Sequence, residues 1–372
     1  TRLSKKKRKE EGHNCSSGVG NMPKENDNIA RRPDSTAFKQ QKLPAWSPSL
    51  TAETVLPFFF LIGLLCVLTG AWLLVTVAAT HEIKIDYTNT GNCSDCYELR
   101  ENRLNSTKDC QCTVTFSLPE QIVGDVYVYY GLINFHQNLR RYMDSRDDAQ
   151  LVGRTFNLKN PSSTCAPFDK YKHGTPIAPC GAIANSMFND SFQLVFHPNE
   201  GMAMSVPLLR TGIAWYTDKN VKFRNPGPYN ESLSAVFAGT SQPFYWQKPV
   251  FELDPTDTKN DGFVNDDFIV WMREAAFPNF KKLYGRLSRF AAFADGLPGG
   301  NYSIQISYNF PVKYFQGKKL VILSTVSWFG GQNRFLPIAY TVTGGVILIV
   351  AMILTGFHLK FGKRGLQANL PQ

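Results

Sequence analysis

Two uncharged apolar stretches lie near the two ends of this chain, from Leu56 to Ala79 and from Phe335 to Phe357. They contain 24 and 23 residues. At about 1.5 Å of rise per residue, each is long enough to cross a hydrocarbon layer of ~30 Å as a helix. The first begins more than fifty residues into the sequence and lacks a small-residue cleavage pattern, so it does not resemble a cleaved signal peptide. The sequence therefore predicts two membrane spans.

The distribution of charge predicts their orientation. Residues 1–54 hold 11 Lys and Arg against 6 Asp and Glu, and residues 358–372 hold 3 against none. Lys and Arg concentrate in the cytosolic loops of membrane proteins. We therefore expect a basic cytosolic tail at 1–54, a first span at 55–79, a lumenal or extracellular domain at 80–334, a second span at 335–357 and a second basic cytosolic tail at 358–372.

Cysteines support a lumenal middle segment, because six of the eight lie within it and an oxidising compartment favours disulfides. Residues 93–112 hold four of them, which allow three pairings. A bond between Cys110 and Cys112 ranks last, since it would close a very small ring. A nested pattern, Cys93 with Cys112 and Cys96 with Cys110, suits two antiparallel segments around a loop. The other two, Cys165 and Cys180, would close a second loop. A zinc site is the minor alternative, since Cys93-x-x-Cys96 has ligand spacing.

Glycosylation sequons fall in the same segment. Five Asn-x-Ser/Thr sequences occur there, at Asn92, Asn105, Asn189, Asn230 and Asn301. Asn92 is set aside because the following residue is a cysteine that we expect in a disulfide. The sequence predicts glycans at Asn105, Asn189, Asn230 and Asn301.

The middle segment has more strand character than helix character. Short β-branched or alternating runs recur between turn clusters rich in Gly and Pro; they cover 112–118, 125–130, 192–196, 302–308 and 320–327. Helical spacing is confined to 134–143 and to 266–289, where apolar residues recur every three or four positions. We expect a mainly antiparallel β-sandwich with helical insertions.

Catalytic and metal-binding motifs are missing from the sequence. There is no Gly-x-Ser-x-Gly elbow, no His-Glu-x-x-His and no phosphate-binding glycine loop. The segment from Asp257 to Gly262 resembles the start of a calcium loop, but Lys259 occupies a ligand position. The basic run from Lys5 to Lys9 fits membrane topology or anionic lipid better than nucleic acid. We expect no enzyme activity, no cofactor and no nucleic acid partner.

The spans themselves favour helix packing over transport. Neither contains Asp, Glu, Lys or Arg, the residues that mark ion routes through membranes. Gly344 and Gly345 offer a surface on which another helix could approach closely, and Gly63 and Gly70 offer a comparable face on the first span.

Several motifs together resemble those of the cell-division-control-50 family, the accessory β-subunits of type-IV P-type ATPases that flip phospholipids. The first is the segment from Arg32 to Trp46, which reads RPDSTAFKQQKLPAW. Others follow in collinear order at 129–132, 138–142, 145–148, 176–190, 212–215, 217–226 and 267–273. The resemblance covers roughly residues 31–360.

The resemblance implies a function that spacing alone does not show. Members of the family are not enzymes; they bind one ATPase, allow it to leave the endoplasmic reticulum and support its phosphorylation cycle. It also implies a jelly-roll-like β ectodomain that caps the ATPase, the nested disulfides, and a cytosolic arm at 31–46 that contacts the ATPase. The arm residues that we expect to make this contact are Arg32, Pro33, Phe38, Pro44 and Trp46, with Gly344 and Gly345 in the membrane. Expected locations are the endoplasmic reticulum, the Golgi apparatus, secretory vesicles and the plasma membrane.

Two other classes share parts of this layout. Two-span ligand-gated trimeric channels also have internal termini and a disulfide-rich ectodomain, but their second span carries a stripe of polar residues that lines the pore. The threonines of this chain's second span form no such stripe. A membrane-anchored ectoenzyme such as a glycosyltransferase would have a single span and a metal-binding carboxylate motif. Both are therefore secondary to an accessory subunit.

Overall fold

A computed structural model describes residues 36–43, 51–101, 108–228, 231–254 and 256–362 of the protein. Its helices are α1 (Ala52–Ala78), α2 (Cys93–Leu99), α3 (Arg140–Met143), α4 (Asp148–Leu151), α5 (Thr155–Lys159), α6 (Ala182–Asn185), α7 (Leu233–Val236), α8 (Asp266–Met272) and α9 (Phe335–Phe357). Its strands are β1 (Glu82–Asp86), β2 (Gln111–Leu118), β3 (Ile122–Val123), β4 (Val126–Ile133), β5 (Ser191–His197), β6 (Met204–Ser205), β7 (Leu208–Leu209), β8 (Phe280–Leu287), β9 (Gly296–Leu297), β10 (Gly300–Ser307) and β11 (Lys318–Thr325).

Two helices, α1 and α9, are long and apolar enough to cross a membrane. They flank a mainly antiparallel β domain that contains short helices, as the sequence predicts. The first helix ends where Thr80 turns back on it, its hydroxyl donating to the carbonyl of Val77 at 2.7 Å. Strand β1 starts at Glu82, so the chain passes from the helix into the β domain without a long linker.

One face of the domain is a five-stranded sheet with the strand order β1-β11-β4-β8-β7. Every neighbouring pair in it is antiparallel. Ile85 pairs with Val321 and Val321 with Tyr130, so that one row of buried side chains crosses three strands. Because successive residues of a strand alternate between its faces, this row fixes which face of the sheet covers the core.

The opposing layer is a four-stranded sheet with the order β2-β10-β5-β6. Cys112, Ile306 and Phe192 form a row across its three longest strands. The ring centroids of Phe192 and Tyr284 are 4.8 Å apart, and the Phe192 amide donates to the Tyr284 hydroxyl at 2.9 Å. These contacts join the two sheets, since Tyr284 belongs to the five-stranded one. The result is a sandwich with an aromatic core.

Three disulfides hold loops to this sandwich. Cys93 is bonded to Cys112 and Cys96 to Cys110, which ties helix α2 to the beginning of β2 in the nested arrangement. Cys165 is bonded to Cys180 across the segment that precedes α6.

A buried ion pair connects β11 to the residue before β5. The side chains of Asp190 and Lys319 have 0% exposure, and their charged atoms are 2.6 Å apart. The second oxygen of the carboxylate accepts from the amides of Asn309 and Phe310, each at 2.6 Å. The hydroxyl of Tyr87 donates to the first oxygen at 2.8 Å. Buried charges require this degree of pairing, because desolvation is costly.

Two helix predictions were wrong in extent. The pattern from 266 to 289 forms a helix only as far as Met272, because Arg273 adopts an extended backbone with ψ of 108°. The remainder becomes β8, where alternating burial between the sheet faces replaces the helical pattern. In the segment 134–143 the helix covers only Arg140–Met143, since Leu139 is extended with ψ of 126°.

Candidate partner-binding surfaces

The two long helices pack against each other through glycines. A Cβ placed on Gly70 would lie 2.8 Å from the backbone nitrogen of Thr341, and one on Gly344 would lie 2.8 Å from the carbonyl oxygen of Gly63 and the nitrogen of Val67. These distances are shorter than carbon atoms tolerate, so only glycine allows the two backbones this close. Small residues are the usual basis of helix packing in membranes, where lipid is as apolar as a leucine side chain.

Gly344 and Gly345 therefore have different environments. Gly344 faces the chain's own first helix, whereas a Cβ on Gly345 would meet no heavy atom within 4 Å among the residues described. The outward faces of both helices are apolar and open; they include Leu61, Leu64, Leu68, Val342, Val346, Ile349 and Ile353. A further helix could therefore approach closely at Gly345.

The junction between the helices and the ectodomain is built from aromatic and charged contacts. The rings of Trp72 in α1 and Trp328, which follows β11, are stacked with their centroids 5.0 Å apart. Glu82, at the start of β1, pairs with Lys281 and with Lys84. Burial would raise the pKa of Glu82, but the hydrogen bonds from these two lysines outweigh it and hold the pKa below the usual value of 4.5. The Trp72–Trp328 contact thereby joins α1 to the segment after β11, and the Glu82–Lys281 pair joins β1 to β8 within the ectodomain.

An exposed aromatic patch lies on the ectodomain. Trp215 is 64% exposed and Tyr216 is 81% exposed, although large aromatic side chains usually contribute to a core. The guanidinium of Arg273 lies 4.0 Å from the centre of the Trp215 ring and 3.5 Å from Asp218. Tryptophan, tyrosine and arginine are enriched at protein interfaces. The motif at 212–215 contributed to the family resemblance in the sequence. The exposure of Trp215 at its end, however, depends on the tertiary structure and could not be predicted from the sequence.

The predicted arm is described only in part. Residues 36–43 include a turn in which the Gln40 amide donates to the Thr36 carbonyl at 3.0 Å. Phe38 is 75% exposed there, and its contact with a partner stays a prediction. Arg32, Pro33, Pro44 and Trp46 lie outside the described residues.

Of the four predicted glycosylation sites, two lie within the described residues and two lie outside them. Asn301 is exposed on β10, and Asn189 is half-buried just before β5. Asn105 and Asn230 lie outside the part of the chain that the structure describes.

Within the described residues, no group of three or more His, Cys, Asp or Glu side chains could hold a metal ion.

Comparison with known proteins shows which family this chain belongs to. A family model described as LEM3 (ligand-effect modulator 3) family / CDC50 family matches residues 73–364. Cell cycle control protein 50C of Bos taurus is 52% identical over 338 residues, which are 91% of this chain and 96% of that protein. Cell cycle control protein 50A of Mus musculus is 50% identical, covering 89% of this chain and 90% of its own. ALA-interacting subunit 3 of Arabidopsis thaliana is 34% identical over 90% of this chain and 88% of its own. The chain belongs to the CDC50 family.

Proposed function

We propose that this protein is a non-catalytic accessory subunit of a phospholipid-translocating, type-IV P-type ATPase, with which it forms a heterodimer. Family membership over most of the chain carries this proposal. The name of the Arabidopsis relative describes a subunit that interacts with another protein, which supports the same role here. The two-helix architecture fits a protein that accompanies a membrane enzyme.

The proposed role needs no catalytic residues. A pump that moves a lipid headgroup alternates between conformations, and a subunit shifts their populations only if it contacts one more favourably than the other. Three surfaces are available for such contacts: the open helix face around Gly345, the patch formed by Trp215 and Tyr216, and the arm that contains Phe38. They would engage the ATPase within the bilayer, outside it and in the cytosol, respectively.

The proposal includes a location and a role in maturation. Both termini lie in the cytosol, and the disulfide-bonded, glycosylated domain lies in the lumen or outside the cell. The subunit allows its ATPase to fold and to leave the endoplasmic reticulum for the Golgi apparatus, secretory vesicles and plasma membrane. Its apolar helix faces contact phospholipid wherever the ATPase does not cover them.

Co-expression with individual type-IV ATPases tests this function. We expect one or more of them to reach the cell surface and to take up labelled aminophospholipid only in the presence of the chain. Gly345→Leu should preserve the subunit's own fold, because that side is open, yet reduce co-purification and uptake several-fold. The neighbouring Gly344→Leu should instead separate the chain's own helices and cause retention of the subunit.

The two outcomes that count against the proposal are separate. If wild-type chain supports no type-IV ATPase, the function is wrong. If the chain supports one and Gly345→Leu is equally active, the function stands but the helix face around Gly345 is not the contact.

A further inference from the structure

A tight turn between β11 and α9 carries two aromatic side chains at its tip. Ser327 and Gly330 pair across it, each backbone amide donating to the other's carbonyl, at 2.8 and 2.9 Å. The φ of Gly330 is 117°, a value that glycine adopts more readily than other residues. Trp328 and Phe329 lie between them, and Trp328 is 68% exposed. We call residues 327–330 the aromatic turn.

Contacts with α1 and the residues after it hold the aromatic turn in place. Just before the turn, the His81 amide donates to the Thr325 hydroxyl and the Thr325 amide donates to the His81 carbonyl, each at 2.9 Å. At its tip, the Trp328 ring stacks on the Trp72 ring of α1. The fold therefore sets the position of the aromatic turn along α1.

The packing of the two long helices shows how deep that position is. Gly63 lies against Leu348, and Gly70 lies against Thr341, so the helices run antiparallel. Both rise by about 1.5 Å per residue. Counted from these contacts, Trp72 is level with the beginning of α9, at residues 335–339.

The beginning of α9 coincides with the edge of the hydrocarbon layer. The helix has 23 residues and is about 34 Å long, so a hydrocarbon layer of ~30 Å takes up nearly all of it. Charged residues bound it on both sides, Arg334 directly before it and Lys360 shortly after it. Trp72 and the aromatic turn stacked on it therefore lie where acyl chains meet headgroups.

The residues at this depth have the character of a membrane interface. Trp72, Trp328 and Phe335 are each more than half exposed, and they come from three different segments of the chain. Tryptophan is enriched at this depth in membrane proteins, because its ring is apolar and its N–H is polar. The charged residue nearest to the turn, Arg334, is long enough to keep its guanidinium among the headgroups. Lipid headgroups surround a helix pair on every open side, which suits rings from three segments better than one protein partner does.

We propose that the aromatic turn inserts into the headgroup layer of the leaflet on the ectodomain's side and contacts lipid there, in the chain alone and in its complex with an ATPase. The ectodomain then touches the bilayer directly, in addition to the two spans. Because β11 leads into the turn, this contact fixes the depth of the five-stranded sheet relative to the membrane.

Fluorescence quenching in lipid nanodiscs tests this contact. The full-length chain carries Cys15→Ala and Cys66→Ala, and its other six cysteines are in disulfides, so that one bimane label can be attached at Phe329→Cys. Quencher lipids carry a nitroxide either on the headgroup or near the end of the acyl chain. We expect the label at 329 to lose most of its emission with the headgroup nitroxide and little with the acyl-chain nitroxide.

Two control positions calibrate the measurement. Lys318→Cys places the label at the other end of β11, about 23 Å from Thr325, and neither lipid should quench it. Ile349→Cys places the label within α9 at a side chain that is 53% exposed, and the acyl-chain nitroxide should quench it. If the label at 329 behaves like the label at 318, the proposal is overturned. Loss of the quenching at 329 when an ATPase is bound would also overturn it, because the turn would then contact the ATPase.

A second measurement needs no label and keeps the turn aromatic. Trp328→Phe retains a ring against Trp72, and nanodiscs are made with lipid that carries bromine atoms near the glycerol end of its acyl chains. We expect this variant to lose part of the tryptophan emission that the bromolipid quenches in the wild type. An unchanged quenched fraction would contradict the contact.

The same samples separate this contact from the proposed function. If the acyl-chain nitroxide does not quench the label at 349, the long helices do not span the bilayer, and the accessory-subunit role fails together with the contact. If it quenches the label at 349 and neither lipid quenches the label at 329, the spans stand and only the contact of the aromatic turn fails.

Discussion

The buried ion pair between Asp190 and Lys319 makes the sharpest prediction about the ectodomain. Lys319→Met keeps most of the volume of the side chain but removes its charge. The carboxylate then remains in an environment with 0% exposure and loses a partner at 2.6 Å. The carbonyl of Phe310, which accepts from the same ammonium at 2.8 Å, loses its donor as well.

The expected cost follows from these contacts. Removing one partner of a buried pair typically destabilises a protein by about 3–5 kcal/mol, because the remaining charge is uncompensated. For a domain of this size, about 1 kcal/mol corresponds to roughly 2–4 °C in the melting temperature, so we expect a decrease of about 6–20 °C. Adding Asp190→Asn to Lys319→Met removes the stranded charge, and the double variant should be more stable than Lys319→Met alone.

Thermal unfolding of the purified chain in detergent, followed by tryptophan fluorescence, measures these shifts. Lys318→Met is the matched control, since Lys318 is 61% exposed and lies 3.9 Å from Asp86. An exposed pair of this kind contributes little, about 0–1 kcal/mol. If the variants at 318 and 319 have equal melting temperatures, the burial argument is refuted.

Three further predictions concern other parts of the chain. Gly70→Leu should separate the two long helices and cause retention in the endoplasmic reticulum, which glycan processing would reveal; normal processing would contradict the packing. Cys165→Ser should leave Cys180 free and also cause retention, and a variant that matures normally would show that this disulfide is dispensable. Glu82 has a lowered pKa, so its pairing with Lys281 stabilises the fold above pH 4.5 and is lost as the pH falls through the folded-state pKa. Glu82→Gln should therefore lower the melting temperature at neutral pH and make the melting temperature fall less steeply as the pH is lowered into the acid range. If the melting temperature of the variant depends on pH as that of the wild type does, Glu82 makes no such contribution.

Much of the architecture could be predicted because it depends on local patterns. Length and apolarity are enough to indicate the spans, and alternation is enough to indicate most long strands. The helix was predicted to continue after Met272 because Ala275 and Ala276 extend the three- and four-residue spacing that begins at Phe268, and only the pairing of β8 with β4 shows that the later part is a strand.

Contacts between distant parts of the chain could not be predicted. Asp190 and Lys319 are 129 residues apart, and nothing near either of them indicates that they pair. The different environments of Gly344 and Gly345 likewise depend on how α1 crosses α9. The exposure of Trp215 follows from the course of the whole segment that contains it, because its apolar character alone would predict burial.

Gentle solubilisation of the tagged chain from native membranes, followed by identification and counting of the co-purifying chains, tests the central claim most directly. We expect a type-IV P-type ATPase in a one-to-one ratio with this protein. A homotrimer without any ATPase would contradict the accessory-subunit role and would favour a two-span channel.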